Sequence, residues 1–193
     1  MSVELVVARI AEIRQYVPGP VPVQVTDSPV AFSSVLASAT ASPPSRSNAG
    51  DSAATFAAAE VGVREAPPGS NDSPRIAEYR RSVPGGPVGP WCAYFASWVS
   101  ARAGTPLGDA GQGFARVDDV WSWASRTGRT LKRSDVPRPG DLILWDEHMG
   151  VVEKVGPRGE LTVVEGNSSD AVSRRNYGPD AGGAVGFVRP GAR

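Results

Sequence analysis

The apolar residues of this chain change their period once, near Pro137, and that change restricts the fold more than any other feature. Before it they recur at the three-to-four spacing of amphipathic helices. The spacing predicts helices from about Ala53 to Glu65, from Pro74 (behind Ser73) to Val83, through the stretch that opens at Pro90, and from Val117 to Arg126. After Pro137 come short β-branched runs bounded by glycine, proline or aspartate: Asp141–Trp145, His148–Val155, Glu160–Val164, Val172–Asn176 and Val185–Val188. Helices first and strands afterwards imply an α+β domain, with N-terminal helices packed on an antiparallel β-sheet.

That domain is expected to occupy residues 51–193. Ahead of it, residues 1–17 read as a short amphipathic helix with Val3, Val6, Val7, Ile10 and Ile13 on one stripe. Such a helix docks on the domain, frays, or binds a protein partner. Residues 18–50 are a Pro/Ser/Ala-rich linker interrupted by one apolar island at 30–36.

The stretch from Gly89 to Gly104 holds the only cysteine of the chain, Cys92, in the first turn of its predicted helix, with Gly104 as the stop. A thiol at that position meets free backbone N–H groups and the positive end of the helix dipole, which favour thiolate. The alternative is a buried structural cysteine, since free cysteine is among the most buried residue types. This stretch alone does not choose between them.

The only histidine, His148, opens the second predicted strand. Gly156-Pro-Arg-Gly159 reads as a four-residue hairpin loop behind it. If Val155 pairs with Glu160, His148 falls opposite Asn167 and Gly150 opposite Glu165, and all share one face of the sheet. A single bulge would break that register. Cys92, His148 and Glu165 with Asn167 then supply a nucleophile, a proton-shuttling imidazole and a group that orients it. Taken singly, His148 reads as a surface or strand-end histidine and Glu165 as an ordinary solvated strand end; it is their coincidence with a cysteine at a helix N-terminus that points to a site.

Four segments together resemble the CHAP domain, a papain-like cysteine amidohydrolase/peptidase of bacterial cell-wall hydrolases. They are Trp91–Val99, Pro139–Trp145, His148–Val152 and Val163–Asn167, within a resemblance spanning about Ser52 to Pro190 and including the lead-in Glu65–Asn71. The resemblance implies a papain-like CHAP fold, with Cys92 as nucleophile, His148 as base, Glu165 as orienter and Asn167 as its polar companion. It also implies hydrolysis of a peptidoglycan amide bond, either the N-acetylmuramoyl-L-alanine amide or one in the stem peptide or cross-bridge. Many relatives carry glutamine before the cysteine, where this chain has Trp91. The oxyanion donor assigned is therefore the Cys92 backbone N–H. Trp91 and Trp145 are taken as lining the substrate groove. No cofactor is implied, and the regular spacing of a calcium loop is absent, so no metal site is assigned. Asn71, Asp72, Asp118 and Asp119 read as helix-start or exposed residues.

Balanced charge, with 20 basic and 20 acidic residues, points to no general affinity for nucleic acid or membrane surfaces. One cysteine excludes an internal disulfide. No Sec-type signal is visible, so a protein acting on the cell wall needs another route out. Ala8–Ile13 and Phe32–Ala37 resemble, more weakly, segments heading actinobacterial flagellum-associated hydrolases, which makes flagellar export one such route. The rival readings are a catalytically silent assembly protein acting through its N-terminal helix, and a phage lysin or delivered toxin with the same chemistry.

Overall fold

A computed structural model describes residues 46–192; the expected N-terminal helix and apolar island lie outside the described residues. Four helices precede the sheet: α1 (Arg46–Ala59), α2 (Pro74–Arg81), α3 (Cys92–Arg102) and α4 (Val117–Arg126). The strands are β1 (Thr130–Lys132), β2 (Leu142–Leu144), β3 (Met149–Val155), β4 (Leu161–Glu165), β5 (Ser173–Tyr177) and β6 (Gly186–Val188), with a 3₁₀ turn at Ala181–Gly183. They form one sheet in the order β1-β6-β2-β3-β4-β5, every pair antiparallel. The expected α+β class holds.

α1 starts ahead of the expected Ala53, so the anticipated linker end at residue 50 falls inside a helix. Its first turn is built from Arg, Ser, Asn, Ala and Gly, which carry no apolar period to read. α2 begins as its sequence dictates. Ser73 caps it by accepting the Ile76 N–H at 3.3 Å, and Pro74 fills the position where no N–H is needed.

α3 is not amphipathic. Every residue from Cys92 to Ser100 is buried, because α3 runs between the other helices and the sheet. Its polar residues are satisfied locally: Ser97 Oγ donates to the Phe114 carbonyl at 3.1 Å and accepts the Phe114 N–H at 2.9 Å. Gly104 adopts φ 77° just past the helix end, the left-handed position where glycine avoids the Cβ clash.

The sheet buries both faces. Leu142, Leu144, Met149, Val151, Val164 and Val188 meet the helices. Ile143, Val152, Leu161, Val163 and Phe187 form a smaller core on the other face, closed by Ala181 and Ala184. The alternation along β2 and across the β3–β4 pairs is the two-residue period of strands. β1 was not anticipated: Thr-Leu-Lys offers one apolar residue, and its pairing with β6 makes it a strand.

The β3–β4 hairpin departs from expectation at one end and rejoins it at the other. Gly156 N–H donates to the Glu160 carbonyl at 2.7 Å, so Glu160 joins the loop and Val155 pairs with Leu161. A bulge between Val152 and Lys154 then absorbs one residue, and Val152 pairs with Val163 and Val151 with Val164. Continued one step, that register sets Gly150 beside Glu165. The bulge restores the alignment that the turn shifts.

Candidate active site

Three elements deliver the expected residues to one place. Cys92 is the first residue of α3, and Trp91 precedes it as the cap residue. His148 closes the tight β2–β3 turn, where the Trp145 N–H donates to the His148 carbonyl at 2.8 Å. Glu165 ends β4. Two glycines permit the approach. A Cβ on Gly150 would stand 2.8 Å from Glu165 Cγ, so its absence leaves room for the carboxylate arm. A Cβ on Gly166 would stand 2.6 Å from Phe95 Cβ and 2.9 Å from Trp91 Cζ3, so glycine lets the end of β4 lie against α3.

His148 Nε2 donates to Glu165 Oε2 at 2.9 Å, which leaves Nδ1 for the Cys92 thiol, whose interaction with the ring favours the protonated imidazole. The imidazole is 31% exposed and the carboxylate 2%. Burial alone opposes charge on the imidazole, but the hydrogen bonds to Cys92 and Glu165 outweigh it and push His148 up to about 9. Glu165 is held below the ordinary carboxylate range: burial works against its charge and is overcome by hydrogen bonds from His148 and Tyr177. The Tyr177 hydroxyl donates to Glu165 Oε1 at 2.6 Å, and the Arg175 guanidinium lies 3.7 Å from Oε2. Burial, then the bond to Glu165, keeps the Tyr177 phenol well above its usual range, so it stays a donor.

Trp145 stacks on His148 with centroids 5.8 Å apart and planes at 25°. Its indole N–H donates to the Gly182 carbonyl at 3.1 Å. Cys92 opens on a cleft of about 370 Å³ lined by Pro90, Arg116, Asp118, Asp146 and Glu147 among others. A neighbouring hollow, lined by Trp121, Trp145, Leu144 and Val185, shares Val117, Asp118 and Asp146 with it. A larger cavity of about 440 Å³, around Arg138, Asp141 and Arg189, touches none of the three residues. There Arg189 donates to both Asp141 oxygens at 3.0 and 2.7 Å.

Two expected site residues sit elsewhere. Trp91 is no groove residue: it is fully buried, its indole N–H donates to the buried Glu65 Oε1 at 2.9 Å, and its ring packs 5.9 Å from Tyr79. A side chain pinned on its apolar and polar sides inside the core cannot meet a substrate. Asn167 does not hold the imidazole either. It takes a left-handed backbone (φ 58°), and its amide donates to Asn71 Oδ1 at 3.4 Å. Tyr177, which does touch Glu165, was missed because Asn-Tyr-Gly at a strand end carries no signal of its own.

Residues 84–167 match the family model of the CHAP domain. Over that stretch the chain is similar to the CHAP domain. The match covers Cys92, His148 and Glu165, ends on Asn167 and stops short of Tyr177. CHAP domains typically hydrolyse peptidoglycan as amidases or peptidases. No curated protein and no solved structure matches the chain. Among the described residues no cluster of His, Cys, Asp or Glu is arranged to hold a metal ion, and no helix is long and apolar enough to cross a membrane.

Proposed function

We propose that this CHAP-like domain cleaves peptidoglycan amide bonds through a thioester on Cys92, with His148 as acid–base and Glu165 as the group that orients it. The observation that carries the reading is that the sole imidazole hydrogen-bonds a buried carboxylate and interacts with the sole thiol.

With the thiol proton already held on His148 Nδ1, the sulfur attacks the amide carbonyl carbon. The developing oxyanion is met by the Cys92 N–H, which as the first helical donor has no intrahelical acceptor. His148 then returns the proton to the leaving nitrogen as the C–N bond breaks. Water, deprotonated by the same imidazole, hydrolyses the thioester to a carboxylate and the free thiol. Glu165 holds one tautomer throughout and stabilises the imidazolium. Trp145 forms the wall behind the ring and one side of the neighbouring hollow, which supports a role in substrate contact. The place of action is the cell wall, outside the cytoplasm, where this substrate lies.

The test is clearing of purified peptidoglycan, followed by mass spectrometry of the released fragments. Wild-type protein is expected to lower turbidity, with new amine and carboxylate termini that name the bond, and Cys92→Ala to leave it unchanged. Clearing by Cys92→Ala at the wild-type rate would overturn the proposal.

A further inference from the structure

Glu165 is a carboxylate almost without access to water, and a buried ion that lacks partners either protonates or swings toward one. His148 occupies only Oε2. The other oxygen is taken by Tyr177, from the last residue of β5, through the short bond of 2.6 Å. The phenol is itself confined. Its ring lies 5.1 Å from that of Trp145, and a Cβ on Gly182 would come within 2.5 Å of Tyr177 Cδ1. Trp145 is in turn tied to the Gly182 carbonyl and stacked on His148. Tyr177, Trp145 and Gly182 thus lock together around the back of the His148–Glu165 pair.

We infer that Tyr177 is a positioning residue of the active site: its hydroxyl keeps Glu165 ionised and turned so that Oε2 faces the imidazole. This is the orienting help expected of Asn167, supplied from a different strand and from beyond the residues that match the family. The inference rests on the reading of Cys92 and His148 as the reacting pair.

The groups facing Glu165 are His148, just ahead of β3, and Tyr177 and Arg175 from β5. Ser168, just past β4, also hydrogen-bonds it, and its hydroxyl accepts from Arg175 Nε at 2.7 Å. Arg175 is the remaining charge, and at 3.7 Å it makes no hydrogen bond to the carboxylate. Asp146 and Glu147, which precede His148, are exposed. Asp180 accepts the Gly182 N–H at 3.3 Å. Removing the phenol therefore takes its short hydrogen bond away from Oε1, and Glu165 should protonate at higher pH.

The experiment uses tag-free full-length protein with ¹⁵N-labelled histidine, in which His148 is the single signal source. Its ring nitrogen shifts, followed from pH 3 to 10 (a range of about seven units), carry an acid-side inflexion when Glu165 titrates. In Tyr177→Phe that inflexion is expected to move up by about one pH unit. It should vanish in Glu165→Gln, and in that background Tyr177→Phe should add nothing. On peptidoglycan, Tyr177→Phe should lower kcat severalfold at unchanged KM. An unmoved inflexion, or an equal effect of Tyr177→Phe with and without Glu165, overturns the inference. If Tyr177→Phe does not fold, 3-fluorotyrosine at position 177, a stronger donor of nearly the same shape, should move the inflexion down, and its staying in place overturns the inference. The titration needs no substrate, so it stands or falls apart from the peptidoglycan reading.

Discussion

Replacing His148 with alanine is expected to slow peptidoglycan hydrolysis by about 10³-fold and to remove the alkaline limb of its pH profile. His148 is the only imidazole, so no other histidine can take over the proton transfer. The sign of the pH effect follows from its environment. Burial disfavours the imidazolium, but the bonds to Cys92 and Glu165 win and carry the group to about 9. The protonated ring therefore persists through neutral pH and is lost as pH rises through that value. Wild-type rates should fall there, and the residual rate of His148→Ala should show no such fall. Measured kcat/KM between pH 5 and 11 (a span of about six units) decides it. A variant that retains the wild-type rate would contradict the assignment of His148.

Trp91→Ala is expected to cost about 3–5 kcal/mol and to lower the melting temperature by about 10 °C. The indole fills space between Tyr79 and the start of α3, with Gly166 against its edge. Its loss leaves a cavity and removes the partner of Glu65 Oε1, whose other oxygen accepts the Asn71 N–H at 2.8 Å. A buried carboxylate deprived of a donor adds to the penalty. Thermal unfolding followed by circular dichroism, set beside KM, separates the two readings of Trp91. A groove residue would raise KM and leave the melting temperature in place; the core placement predicts the reverse.

What the sequence discloses here, and what it hides, has physical causes. The class of fold is legible because the period change near Pro137 is abrupt and the strands are short and β-branched. α4 is legible to the residue, since Val117, Val120, Trp123 and Ala124 form a clear buried stripe. α3 misleads: a helix buried on every side carries no amphipathic stripe, so periodicity finds the helix and mistakes its surroundings. Trp91 misleads for the same reason, because its neighbours in sequence say nothing of Glu65, which arrives from another segment. The facing of His148 and Glu165 is legible through a register whose turn differs from expectation by one residue, and the bulge after Val152 cancels the difference. Asn167 lies where that register points, but its left-handed backbone turns the amide to Asn71. Tyr177 reaches Glu165 only because β5 pairs with β4, a long-range fact with no local signature.

The central claim is that a substrate acyl group passes through Cys92. Intact-protein mass spectrometry of an acid-quenched digestion of purified peptidoglycan addresses it most directly, because the chain has one thiol and any thioester must sit there. The account predicts an added mass equal to the acyl-side fragment, mapped by peptide analysis to Cys92 and absent from Cys92→Ala. Continued hydrolysis by protein whose Cys92 has been fully alkylated would contradict it.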